Sequence, residues 1–228
     1  MTTLFHKTKN RISEYFVSTA WPWEIMSGLF VVLIIINGTE YIIKDQLPDR
    51  ISVVMLIVAI NFLWAVVDGL LLIFTNLLER GRYYKLISTL KLSDKNLATQ
   101  TVSRELNHTI IKVLDEKTKE NITETILGNI LLLSIDKVNK FKISLNDILG
   151  AIICVFLVFS PSIVILPFFL YINNIAIAIL VSNLIGVLFL FGFGYRLGYC
   201  INRNKILTGL AVAIIGLAVM IVGTVLGA

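Results

Sequence analysis

The chain has 228 residues, 57% of them hydrophobic and 15% charged, with a net charge of +5 and a mean hydropathy of +0.85. A water-soluble domain carries roughly 25% charged residues, so this composition excludes an ordinary soluble protein. It predicts an all-α integral membrane protein with five transmembrane helices. The two cysteines, Cys154 and Cys200, sit within or at the edge of apolar segments. They read as small packing residues and supply neither a disulfide framework nor a metal finger.

Residues 1–21 form a basic arm with Lys7, Lys9 and Arg11. The arm has no short apolar core with a cleavage site, so the first membrane helix is expected to act as the targeting signal. Span one is expected over 22–43 and span two over 51–78, making residues 22–78 a pair of membrane helices. Spans three, four and five are expected over 147–171, 174–199 and 205–227, within a second membrane segment, 147–228. Each is long enough to cross a hydrocarbon layer of ~30 Å at ~1.5 Å per residue.

Eighteen of the 20 Lys and Arg residues fall on one side of this arrangement, and only Lys44 and Arg50 fall on the other. The rule that positive charge stays inside then predicts a cytoplasmic N-terminus and an outer C-terminus. The net charge is a topology signal with some attraction to anionic lipid, and it calls for no nucleic-acid partner. Asn-x-Thr triplets at Asn37, Asn107 and Asn121 lie at membrane depth or on the cytoplasmic side, so none is expected to be glycosylated. The richness in Ile, Lys and Asn points to an AT-rich prokaryotic genome, and hence to a prokaryotic plasma membrane.

Residues 79–146 are expected to be a cytoplasmic helical domain inserted between helices two and three. Residues 79–92 continue span two. Leu97, Val102, Leu106, Ile110 and Val113 recur at helical spacing, as do Ile122, Ile126, Ile130 and Leu133. Ser93 and Asn121 are the expected N-caps of these two helices. Ser144 followed by Asp147 fits a capping box that opens span three. The run 126–135, ILGNILLLSI, is too apolar for a solvated face and is expected inside this domain or at a dimer contact. His6 and His108 are isolated. No phosphate loop, paired Cys or His motif or nucleophile motif occurs, so an enzyme is not expected.

In span five Gly209, Gly216 and Gly223 recur every seven residues, and span four carries Gly194 and Gly198. Such glycines allow close helix packing in lipid, within one bundle or across a dimer seam. Pro161 and Pro167 in span three free backbone carbonyls and can kink it.

The polar residues of the spans include Glu24, Asn37, Glu40, Asn61, Asp68, Thr75, Asn76, Glu79 and Asn183. Glu24 and Glu79 fall near the inner boundary and Glu40 near the outer one. Asp68 lies about ten residues, roughly 15 Å, from the inner end of span two. A carboxylate at that depth costs at least ~2.5 kcal/mol unless it is protonated, paired or hydrated. Asn61, Asp68, Thr75 and Glu79 recur at spacings of seven, seven and four, which predicts a polar stripe on span two. Oxygen ligands in a stripe suit cations or protons. The other reading of the stripe is a structural hydrogen-bond cluster.

The layout of two helices, a cytoplasmic helical domain and three further helices resembles the vacuolar iron transporter family. The residues that carry the resemblance are ILGAIICVFLVFSPSIVILPFFLY in span three, GYRLGYCINRNKILTGLAVAIIGLAVMIVGTVLG across spans four and five, and LLERGRYYKLIS at the exit of span two. The resemblance implies a dimeric exporter of ferrous and related divalent metals that exchanges them for protons. The cation would be cargo, with no resident cofactor. Glu79 would match the family's glutamate at the second-helix exit. The family's Asn-Asp-Gly-Leu-like stretch lies in its first helix, whereas here Asp68-Gly69-Leu70 lies in span two. Thr75 stands near a position where the family has methionine, and after Glu79 the next acid is Asp94. On this reading Asp68 is the intramembrane carboxylate, Asn61, Thr75 and Glu79 line its path, Glu24 is an entrance group and Glu40 an exit group. Access would alternate by rearrangement around the prolines of span three. The alternative is a non-transporting scaffold of the same fold whose cytoplasmic helices bind a partner.

Overall fold

The computed structural model describes residues 21–42, 50–132 and 142–227, apart from the side chains of 39–42, 110 and 226–227. The arm over 1–20, the end of the run 126–135 and the side chain of Glu40 lie outside the described residues. Those described are helical or in short turns, with no strand among them. The order is α1 (Trp21–Ile42), α2 (Arg50–Leu92), α3 (Lys95–Asn107), a 3₁₀ turn (Ile110–Val113), α4 (Glu116–Leu132), α5 (Leu145–Tyr171), α6 (Ile175–Cys200) and α7 (Lys205–Gly227). Five of these, α1, α2, α5, α6 and α7, are long and apolar enough to cross a membrane. The chain is an integral membrane protein.

Two compact units emerge, one drawn from Met1–Leu72 with Leu149–Ala228 and the other from Ile73–Ile148. In the first, α1 is the central helix. Leu29, Val32, Leu33 and Ile36 are at most 2% exposed. Trp23 and Ile34 face outward, and neighbours cover the rest of the helix. Its neighbours approach so closely because glycines stand at the crossings. A Cβ on Gly28 would collide with the carbonyl of Val158 on α5. One on Gly186 of α6 would lie 2.7 Å from Leu33, and one on Gly223 of α7 would lie 3.0 Å from the carbonyl of Ile34. The glycine heptad of α7 therefore packs within one bundle: Gly209 meets Phe191 and Gly216 meets Leu190, both on α6.

The connections are tight. Asn174 caps α6 through the Ile177 amide, 3.3 Å away. At its other end α6 closes with Asn202 at φ 51°, a left-handed position that asparagine tolerates. The amide of Arg203 reaches back to Gly198 at 2.9 Å, that of Asn202 to Tyr199 at 3.3 Å, and Asn204 then caps α7. Pro161 and Pro167 both lie inside α5, which stays one helix. Pro161 deprives the Leu157 carbonyl of an amide donor, and the Ser160 hydroxyl replaces it at 2.7 Å.

In the second unit α2 is continuous to Leu92, as the sequence predicts. Leu90, Ala98, Val102 and Leu127 form its core. Two expected caps move. Asp94, not Ser93, caps α3, because its carboxylate reaches the Leu97 amide at 3.1 Å while the Ser93 hydroxyl turns back to Thr89. Asn121 lies inside α4, which begins five residues earlier under the carboxylate of Asp115. The Thr118 hydroxyl and amide hold the Asp115 carboxyl below the usual carboxylate range. This cap is therefore complete at neutral pH and weakens only as pH falls through that lowered value. Val113 is exposed in the 3₁₀ turn, beyond the end of α3, because the helical spacing runs past the last helical turn. Leu127 of the apolar run is buried, whereas Leu131 and Leu132 are 62% and 85% exposed.

The capping box at α5 forms as expected. The Ser144 amide donates to Asp147 Oδ2 at 2.7 Å, and the Asp147 amide donates to Ser144 Oγ at 3.3 Å. Arg80 adds an ion pair to Asp147 and donates to the Lys142 carbonyl at 3.0 Å.

The crossing at Gly28 admits no side chain. Gly28→Ala is expected to cost about 1–3 kcal/mol of stability. Gly192→Ala, on a side of α6 with open space around it, should be neutral or slightly stabilising. Thermal unfolding in one detergent distinguishes the two.

Candidate functional site

Glu24 and Ser27 lie three residues apart on α1, one turn along the same side. That side meets α2 and α5, which the missing side chains of Gly28 and Gly69 bring near. A Cβ on Gly69 would lie 2.9 Å from Val155 and 3.0 Å from the carbonyl of Ala151. The Ser27 hydroxyl donates to Asp68 Oδ2 at 2.9 Å, and the Trp64 indole, one turn before Asp68, donates to Ser27 Oγ at 3.0 Å. Trp64, Ser27 and Asp68 thus form a directed chain of hydrogen bonds ending on the carboxylate. The Cys154 thiol, 1% exposed on α5, donates to Glu24 Oε2 at 3.2 Å. Glu24 and Asp68 are thus both held along one side of α1, Asp68 through Ser27 and Glu24 three residues before that serine. Among the described residues, neither has a Lys or Arg partner.

The residues of the expected stripe part company. Asn61 is fully buried against α5, donating to Ser162 Oγ at 2.6 Å and to the Val158 carbonyl at 3.3 Å. Its Oδ1 has no hydrogen-bond partner among the described residues. Asp68 is half-buried and held by α1. Thr75 and Glu79 are exposed and belong to the other unit. Glu24, expected as a boundary group, accepts from the Cys154 thiol. Glu40 lies in α1 with its side chain outside the described residues.

Ser27 and Trp64 are not among the polar residues that the sequence singles out, and Cys154, expected as a small packing residue, is also a hydrogen-bond donor. The spacing of Ser27 from Glu24 was the available signal, but nothing in the sequence shows which side of α1 meets α2. A further polar pair joins α1 to α6. Asn37 and Asn183 exchange two hydrogen bonds, at 3.0 and 2.8 Å, and Asn37 also donates to the Leu33 carbonyl at 2.7 Å.

Among the described residues, no three His, Cys, Asp or Glu side chains converge as a metal-holding group. The cluster at Glu24 and Asp68 is therefore not a ready cage. Chemically it is a pair of acids in a poorly solvated place, where a proton or an incoming cation relieves the like charges.

The chain matches no family model, and a search of curated proteins gave no match.

The Asn37–Asn183 pair is satisfied only as a pair. Asn37→Leu alone should cost about 1 kcal/mol or more by stranding the Asn183 amide, and Asn37→Leu with Asn183→Leu should recover much of the loss. A double-mutant cycle of unfolding in mixed detergent measures the coupling.

Proposed function

We propose that this protein is a membrane transporter of a divalent metal cation of the iron or manganese class, coupled to protons, with Glu24 and Asp68 as its intramembrane acidic pair. The observation that carries this reading is the holding of two carboxylates along one side of α1, Asp68 by Ser27 and Glu24 one turn earlier by Cys154, with no Lys or Arg partner for either among the described residues. Bundles retain such expensive groups where protons or cations pass. The resemblance of layout and of the quoted segments to the vacuolar iron transporter family supports a divalent metal as cargo. On the same basis the protein works as a homodimer in a prokaryotic plasma membrane, N-terminus inside and C-terminus outside.

In the present arrangement the acids are occupied, Asp68 by Ser27 and Glu24 by Cys154. Cargo would displace these donors, and the pair would exchange a proton for a metal ion. Ser27 and Trp64 then position Asp68 and do not themselves ligate. Asn61 serves this reading as a polar neighbour in the bundle. Thr75, Glu79 and Glu40 stay in it on the sequence pattern alone.

Flux of ferrous and manganous ions into vesicles containing the purified protein tests the proposal. Asp68→Asn and Glu24→Gln should each lower the rate about tenfold or more, the size of about 1.4 kcal/mol in the barrier. Full flux through Asp68→Asn would refute the site.

The second reading, a scaffold, is favoured by one observation in the other unit. Leu90, Ala98, Leu127 and Leu131 line a groove of about 420 Å³ between helices, of a size to receive partner side chains. Calorimetric titration with ferrous, manganous, zinc and cobalt ions separates the readings. Saturable binding lost in Asp68→Asn supports transport, and no binding to either protein supports the scaffold.

A further inference from the structure

A cleft of about 150 Å³ runs between α1, α5 and α6. Ile25 and Leu29 form one wall, Pro161 and Val164 a second, and Phe189 and Phe193 the third. Its polar lining residue is Ser160, whose hydroxyl is turned onto the Leu157 carbonyl. The cleft therefore offers a water molecule almost nothing to bond, and apolar sites of this kind stay dry. Val164 and Phe189 are 41% and 44% exposed, so the cleft opens on the outside of the bundle, where hydrocarbon lies. Its walls are stiff. Phe189 and Phe193 stack at 6.4 Å, and Pro161 has a fixed backbone angle.

Beyond Phe193, outside the lining of the cleft, stands a basic residue. Phe193 packs edge-on against Trp21 at 6.5 Å, and the Arg196 guanidinium lies 4.7 Å over the Trp21 ring. Arg196 is exposed and has no ion pair among the described residues. Lys205 lies over Tyr199 at the same end of the bundle, where α6 finishes and α7 begins. Tryptophan beside arginine is the arrangement found at the headgroup level of a bilayer. The fork of a guanidinium fits the two free oxygens of a phosphodiester.

We propose that this cleft is a binding site for an anionic glycerophospholipid, with a segment of one acyl chain between α1, α5 and α6 and the headgroup phosphate on Arg196. The site is independent of the acidic pair, and of which cargo the protein carries.

Native mass spectrometry of the full chain in detergent tests it, with phosphatidylglycerol and phosphatidylcholine of identical chains added in turn. The wild type should retain phosphatidylglycerol about five-fold better, the preference expected of one basic residue against an anionic headgroup. Arg196→Gln should abolish the preference while still retaining either lipid. Val164→Trp, which fills the cleft, should lose both. Millimolar glycerol phosphate should displace neither, because it has no chain. Equal retention of the two lipids by the wild type, an unchanged preference in Arg196→Gln, full retention by folded Val164→Trp, or displacement by glycerol phosphate would each overturn the proposal. Arg196 is exposed, so its variant keeps the fold and decides the question even if Val164→Trp does not fold.

Discussion

The membrane bundle depends on the enclosure of α1. Lipid tails are as apolar as leucine, so burial against water cannot hold helices together inside a bilayer. Dispersion contacts and interhelical hydrogen bonds must do it, and both need close approach. Here α1 meets α5 at Gly28, α6 at Leu33 and α7 at Ile34, and it meets α2 through Ser27. In every backbone crossing a glycine stands on one side or the other. Three polar residues of α1 are therefore groups between helices: Glu24, Ser27 and Asn37 bond to α5, α2 and α6 in turn.

The three polar knots of the bundle are not equivalent. The Asn37–Asn183 pair satisfies donors and acceptors on both side chains. Asn61 uses its amide to hold α5 within a turn of Pro161, through Ser162 and the Val158 carbonyl. The acidic knot differs from both, because the neutral serine and thiol that bond to it donate hydrogen bonds but do not balance carboxylate charge.

Much of the architecture is legible in the chain because length and hydropathy act locally. The five apolar helices, the unbroken run of α2 to Leu92 and the Ser144–Asp147 box all follow from neighbouring residues. The move from Ser93 to Asp94 is a choice between two adjacent cap-formers, decided by which side chain reaches an amide. The site was legible only in part. Asp68 stands out by depth. Its partners come from α1, and Cys154 comes from α5, so they depend on how three helices are rotated about their axes. An aspartate inside an apolar run gives no sign of that rotation. The heptad spacing from Asn61 to Thr75 kept those residues near one side of α2 but did not reveal that Asn61 faces α5, Asp68 meets α1 and Thr75 is exposed.

The central place of α1 also bears on biosynthesis. Of the five apolar helices, α1 emerges from the ribosome before the others, and its mean hydropathy of 1.5 is the lowest, against 2.4 to 2.7 for the rest. The neighbours that cover it on α6 and α7 are made last. Until α7 leaves the insertion machinery, the Ile34 backbone lacks its glycine neighbour and Asn37 waits for α6. The helix with the least apolar window, Trp21–Gly38, is thus the one whose covering partners are made last, and its packing against them can only follow their synthesis.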